Sequence, residues 1–338
     1  MSDETNANFE DNRDFNSWLE ENYFIEIEEY EYPSSAVLYK MSTDDYVEAL
    51  ERYKNDPKVA LSRIENSFPT PIAYYFYQAN NNYQNDHHRL DLLKSCWEAI
   101  VFFLYGLVIG EARHRSFDLY SLGIIKYDKM LSDKLYDKLT IIENILDYAT
   151  KRGVEFGCKG VIPTETLSLI KKLNQERNGF EHASAKTTAQ QKELFKDLFP
   201  QLELVLRKLI KLEEVEVFRY HEAVTPLYPR CEIFNGYSLD GKKEIIPIRK
   251  ENYIEILEYF NSESVFAKVE NTVFCLSPFI HFAQETHETN AVLCFYKKEK
   301  GGKYKYEVIS KSKDIDFEKS TFKTMEDQLR YLVSEKTV

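Results

Sequence analysis

The stretch HRLDLLKSCWEAIVFFLYGLVIGEARH, from His88 to His114, runs for 27 residues without a proline. Leu90, Leu93, Trp97, Ile100, Leu104, Leu107 and Val108 recur three and four apart, the spacing that lines up side chains on one helical face. The second half of the stretch is apolar on nearly every side, so no single neighbour can cover it. Such a helix belongs at the centre of a fold, and the rest of the chain must supply its cover. The uninterrupted apolar run, Ala99 to Gly110, counts 12 residues against the ~20 that a membrane span needs. The expectation is a buried core helix in a soluble, cytoplasmic protein with no membrane association.

Helical patterns surround this stretch. STDDYVEALERYKNDP opens with Ser42 or Thr43 as N-cap and carries Asp44 and Asp45 in its first turn, where carboxylates favour the helix dipole. PKVALSRIENSF and TPIAYYFYQANNN each begin near a proline, and the polar run NNNYQNDHH reads as a linker. SDKLYDKLTIIENILDYATKRG suggests a cap at Ser132 and a stop at Gly153. PTETLSLIKKLNQERNG opens at Pro163 and Thr164, and the long pattern from Thr187 is expected to kink or break at Pro200. Beyond Tyr220 the pattern becomes strand-like, with turn signals at Asp240–Gly241 and Gly301–Gly302, and TMEDQLRYLVSEK closes the chain as a helix. The fold class predicted is multidomain and mainly α. An acidic N-terminal segment (1–32) and a helical lead-in (33–84) precede an all-helical, antiparallel central bundle (85–215). A smaller α+β C-terminal domain (216–338) would follow, with a regulatory or partner-binding role.

Charge narrows the partners. The net charge is −12, and residues 1–84 alone hold 17 acidic against 6 basic residues. Residues 85–215 hold 20 basic against 19 acidic residues, so a polyanion can be met only there. The acidic segment around WLEENYFIEIEEYEY reads as a solvated tail, or as a short docking element built on Trp18, Phe24, Ile25 and Ile27. Cys96, Cys158, Cys231, Cys275 and Cys294 are scattered, without CxxC pairs or zinc spacing, as expected of reduced, buried thiols. There is no GxGxxG, phosphate loop, GxSxG or HExxH, which disfavours dehydrogenases, nucleotide hydrolases, serine hydrolases and zinc proteases. His281 and His287, with Glu285 and Glu288, are a weak alternative as metal ligands, and no metal or other cofactor is expected.

The candidate site is LNQERNGFEHASA, residues 173–185, where Arg177, Asn178 and His182 surround Gly179. An α-helix advances ~100° per residue, so Asn178 and His182 share a face, whereas Arg177 and His182 lie ~140° apart. Both can meet one phosphate only if Gly179 breaks the helix or if two chains contribute. Imidazole suits proton transfer near neutral pH, and a guanidinium suits the charge on a phosphorane. Lys171, Lys172, Lys151, Arg152 and Lys186 flank the motif as a phosphate-binding rim, tempered by Glu176 and Glu181. Glu181 is also placed to hold Arg177. The plainer reading is a solvated Arg177–Glu181 ion pair at a helix end.

RNGFEH, with arginine, a polar neighbour and histidine after four residues, resembles the signature of the HEPN superfamily of helical ribonucleases. The run LIKKLNQE resembles that family's approach to the motif, and the likeness covers about 130 residues, 85–215. PTPIAYYFYQANN followed by RLDLLKSCWEAIVFFL resembles the lead-in of HEPN-like domains in bacterial defence proteins, with Glu98 matching a recurrent glutamate. The resemblance implies a metal-independent endoribonuclease that works as a homodimer, with Arg177, Asn178 and His182 catalytic and Glu98 and Glu181 supporting. It also implies products with 2′,3′-cyclic phosphates and a toxin or antiphage role, with an antitoxin or a defence-complex subunit as protein partner. The alternative is a non-catalytic HEPN-like dimerisation or binding subunit of a larger defence complex.

Overall fold

Aromatic side chains hold together the N-terminal unit, Met1–Ser62, one of two units in this computed structural model. The structure describes residues 13–22, 35–117, 119, 127–177, 187–222, 230–246, 263–283, 292–310 and 314–318. Helices α1 (Arg13–Asn22), α2 (Ser35–Met41) and α3 (Thr43–Asn55) gather around Phe15, Leu19, Leu38, Ala49 and Tyr53. The indole of Trp18 donates to Asp56 at 2.8 Å, and that bond holds the Asp56 carboxyl below its ordinary range. Ser42 caps α3, its hydroxyl accepting from the amide of Asp45. Part of the acidic stretch is thus a packed helix and no solvated tail, while Phe24, Ile25 and Ile27 lie outside the described residues. Helix α4 (Pro57–Ser67) continues the chain into the second unit, Arg63–Val338.

In that unit α5 (Thr70–Asn81) leads into α6 (Asp86–His114), which starts where the Asn85 side chain accepts from the amide of His88. After α7 (Tyr127–Met130) come α8 (Leu135–Arg152), α9 (Cys158–Val161), α10 (Thr164–Arg177) and α11 (Thr188–Lys208). Helix α6 packs on α8, α8 on α10, α10 on α11, and α11 back on α6, which closes a ring of four helices. Gly153, at φ 62°, stops α8 in the left-handed conformation that glycine tolerates. Lys134 rather than Ser132 sits at its N-cap; the Ser132 hydroxyl instead donates to Asp137 and accepts from the amide of Lys134. Helix α11 runs on through Pro200.

Strands fill the C-terminal part. β1 (Glu216–Glu222), β2 (Arg230–Ile233), β3 (Lys242–Ile245), β4 (Phe266–Val269) and β5 (Thr272–Cys275) form an antiparallel sheet in the order β3-β2-β1-β4-β5. β6 (Ile280–Ala283), β7 (Val292–Lys300), β8 (Lys303–Val308) and β9 (Asp314–Glu318) form a second antiparallel sheet in chain order. The β7–β8 hairpin turns at Gly301 and Gly302, at φ 62° and 78°. The closing TMEDQLRYLVSEK segment lies outside the described residues.

These sheets correct the expectation of a mainly α, multidomain chain with an appended α+β domain, and the chain is not all-helical. Among the described residues, nine strands in two antiparallel sheets stand beside the helices, so the fold is mixed α and β. The physical reason lies in α6. Its neighbouring helices leave part of an all-round apolar surface open, and β5 and β7 pack against it. Contact with β5 is close: a methyl group on Gly110 would sit 2.8 Å from the Cys275 carbonyl oxygen. At Gly106 the nearest atoms, in the Ile280 side chain, would be 3.1 Å away. Arg113, buried near the end of α6, donates to the carbonyls of Ser277 (2.9 Å) and Cys275 (2.6 Å) and so ties the helix to the β5–β6 turn.

By length and composition α6 is also apolar enough to cross a membrane, which the 12-residue run did not suggest, but 78% of its most apolar window is buried inside the fold. Burial, more than length, marks it as a core helix. Asn235 is a second joint. Its carboxamide donates to Ser67 O (2.9 Å) and Val215 O (2.8 Å) and accepts from Val217 N (3.0 Å). The next residue, Gly236, donates its amide to Phe68 O at 2.7 Å.

Candidate functional site

The motif-bearing segment joins two helices that pack on each other. Arg177 is the last residue of α10, and Thr187 caps α11 in a reciprocal box with Gln190. The Arg177 side chain, Asn178, Glu181, His182 and Lys186 lie outside the described residues.

The flanking cations are described only in part. Lys171, on α10, is ion-paired with Glu143 on α8, and Lys172 is exposed. In the last turn of α8, Lys151 lies 3.7 Å from Asp147 with both side chains largely exposed, and the Arg152 guanidinium stands 5.7 Å from the Tyr148 ring. Pairs this exposed bind weakly, so an incoming phosphate can displace them. Both residues also complement the carboxyl end of the α8 dipole, a purely structural duty. Glu98 is half-buried on α6, less sealed than its apolar neighbours suggested. Its charge contributes, after burial and Glu307, to raising the Tyr75 hydroxyl well above its ordinary range.

Four arrangements are not evident from the sequence alone. The first is a cleft of about 400 Å³ between the start of α6 and the first turns of α11. Arg89 lies in it between two rings, 4.2 Å from the Tyr83 centroid and 3.7 Å from the Phe195 centroid. Its Nε donates to Ala79 O at 2.9 Å. Lys192 and Lys196 line the same cleft, with Asp86 3.8 Å from Lys192 and Glu193 2.9 Å from Lys196. In the sequence Arg89 lies far from Lys192 and Phe195, which are neighbours on α11, and tertiary packing alone brings it to them.

The second is Lys138, fully buried on α8, whose ammonium faces the rings of Tyr105 (4.3 Å), Phe102 (5.2 Å) and Tyr296 (5.8 Å). Its Nζ has no hydrogen-bond partner among the described residues. Burial pulls its pKa down to about 7 against the opposing pull of Asp133 and Asp137. The third is Glu111, inside the core, which accepts from the amides of Gly157 (2.7 Å) and Cys158 (2.8 Å) and so docks α9 on α6.

The fourth resembles a hydrolase relay. Ser277 Oγ lies 3.0 Å from His281 Nδ1, and His281 Nε2 lies 3.7 Å from Glu263. Ser277 and His281 are only 1% and 3% exposed, and the serine hydroxyl also bonds Ile280 O and Val265 N at 3.1 Å each. Burial lowers the His281 pKa against the opposing pull of Glu263, and the serine's bonds tie the β5–β6 turn together. Of the metal alternative, only His281 is described, and His287, Glu285 and Glu288 lie outside the described residues. No group of three metal-binding side chains occurs among the described residues. Comparison of the chain with family models, with curated proteins and with solved structures gives no match in any of the three.

Proposed function

We propose that this protein is a metal-independent endoribonuclease of the HEPN type, acting as a cytoplasmic homodimer in a toxin or antiphage defence setting. The observation that carries the reading is the Arg177–Asn178–His182 motif in the sequence that joins α10 to α11, two of the four helices that pack as a closed ring. In the proposed reaction the 2′-hydroxyl attacks the adjacent phosphorus and loses its proton to a base. The P–O5′ bond breaks, and the leaving oxygen takes up a proton. His182 serves the proton transfers, Arg177 neutralises the phosphorane oxygens, and Asn178 orients one of them. Products are a 2′,3′-cyclic phosphate and a 5′-hydroxyl.

Purified protein is incubated with total RNA, with and without EDTA. Cleavage that survives chelation, and that disappears in correctly folded His182→Ala and Arg177→Ala proteins, is the expected outcome. Chelator-sensitive cleavage, or activity retained by both variants, overturns the reading.

A second reading, a non-catalytic binding subunit that meets an antitoxin or another defence-complex protein, draws support from the ion pairs of Lys171 with Glu143 and Lys151 with Asp147. They weaken the cationic field that these two lysines can supply. Absence of cleavage together with a stable self-dimer or partner complex would favour it.

A further inference from the structure

We infer that the cleft between the start of α6 and the first turns of α11 binds single-stranded RNA, with phosphates on Arg89, Lys192 and Lys196 and a base against the Tyr83 ring. The ligand is named RNA on the strength of the ribonuclease reading; the geometry of the cleft stands apart from it.

Arg89 carries the inference. Its guanidinium carbon stands over the Tyr83 and Phe195 rings, and the Nε bond to Ala79 O anchors it further. Its terminal nitrogens have no acceptor among the described residues, so their edge is held ready for two oxygens of one phosphate. A guanidinium immobilised before binding loses less side-chain entropy when it binds. Lys192 and Lys196 sit four residues apart on α11, on the same face, and present two more cations to the same space. Among the described residues Asp86, 3.8 Å from Lys192, and Glu193, 2.9 Å from Lys196, set two carboxylates against three cations, so the cleft keeps a small positive excess in a chain of charge −12.

Tyr83 is 40% exposed beside these cations, an aromatic surface that a base can cover. A free inorganic phosphate has no use for that ring, whereas a strand supplies a base and a phosphate together. In the chain, Lys192 follows His182 by ten residues, so the helix that lines the cleft is the one the motif-bearing segment enters.

The test is fluorescence anisotropy with a labelled single-stranded oligouridylate, using the His182→Ala protein so that the probe stays intact. Binding is expected to weaken at least tenfold in the Lys192→Glu/Lys196→Glu double variant and in Tyr83→Ala. The double variant should also lower the slope of log affinity against log salt by about 1.4, from two lost contacts on a single strand. Thermal melting shows whether each variant is folded, and Arg89→Lys gives a milder probe of the fork geometry. Unchanged affinity and slope in the folded double variant, or full competition by uridine monophosphate at equal concentration, overturns the inference. RNA cleavage by the native protein that these variants leave untouched would sink the cleft and spare the nuclease. Binding that needs the cleft, with no cleavage by the native protein, would do the reverse.

Discussion

Lys138 shows how one side chain can set the pH response of a fold. Its ammonium is surrounded by three rings and lacks an acceptor among the described residues, so the charged form is disfavoured and the pKa falls to about 7. In the unfolded chain the group titrates near 10.5. Between those two values the unfolded state binds the extra proton, so stability should rise with pH, by up to about 1.4 kcal/mol per unit. The gain is complete above the unfolded value and is lost as pH falls through about 7. Urea unfolding at pH 7 and pH 9 should show this rise in the native protein. Lys138→Met, which keeps the length and removes the charge, should flatten it and add about 2 kcal/mol at pH 7. A flat profile in the native protein would refute the assignment. Sequence reading does not find this lysine, because Lys138 sits among polar residues on an amphipathic helix, and only Tyr296 from β7 completes its surroundings.

Among the elements, the helices are the legible part of the sequence. Proline-free periodic runs, a serine cap at Ser42 and a glycine stop at Gly153 all mark local energetics that tertiary contacts do not override. Strands of four residues such as β4, β5 and β6 are buried on both faces, so they carry no alternation to read. The outcome is an underestimate of the sheets and of their hold on α6. That hold can be measured. Gly110→Ala would force a methyl group against the Cys275 carbonyl, a rigid neighbour, whereas at Gly106 it would meet the movable end of Ile280. Helix propensity favours alanine at both sites by about 1 kcal/mol. Gly110→Ala should nevertheless lose about 2 kcal/mol in urea unfolding, with Gly106→Ala near neutral. Equal effects at the two sites would mean that α6 and β5 can slide apart without penalty. The candidate site was legible only as a motif: the sequence shows Arg177, Asn178 and His182, but the aromatic clamp on Arg89 comes from residues more than a hundred positions apart.

At the scale of the molecule, helix and sheet share one core in the unit Arg63–Val338. Residues 85–215 expressed alone should therefore be insoluble or lack cooperative melting, because α6 would lose β5 and β7. A soluble fragment with a sharp thermal transition would contradict that dependence. The dimer proposed for catalysis makes a separate prediction. If each site takes Arg177 from one chain and His182 from the other, mixing inactive Arg177→Ala and His182→Ala proteins should restore about a quarter of the native rate. Half of the randomly exchanged dimers would be mixed, each with one intact site. No recovery after subunit exchange would place all the groups of a site on one chain.

Asn235 carries a chemical liability along with its three hydrogen bonds. An asparagine followed by glycine readily loses its side-chain amide, because the unhindered backbone nitrogen attacks the carboxamide carbon and closes a cyclic imide. In the folded protein that nitrogen is engaged with Phe68 O, and the carboxamide is held by Ser67 and Val215. Ageing at this position therefore waits until the joint opens. Water then opens the imide to aspartate or isoaspartate, whose carboxylate can only accept and would confront two carbonyl oxygens when the joint tries to close. Each molecule altered there would keep a permanent chemical record of one opening.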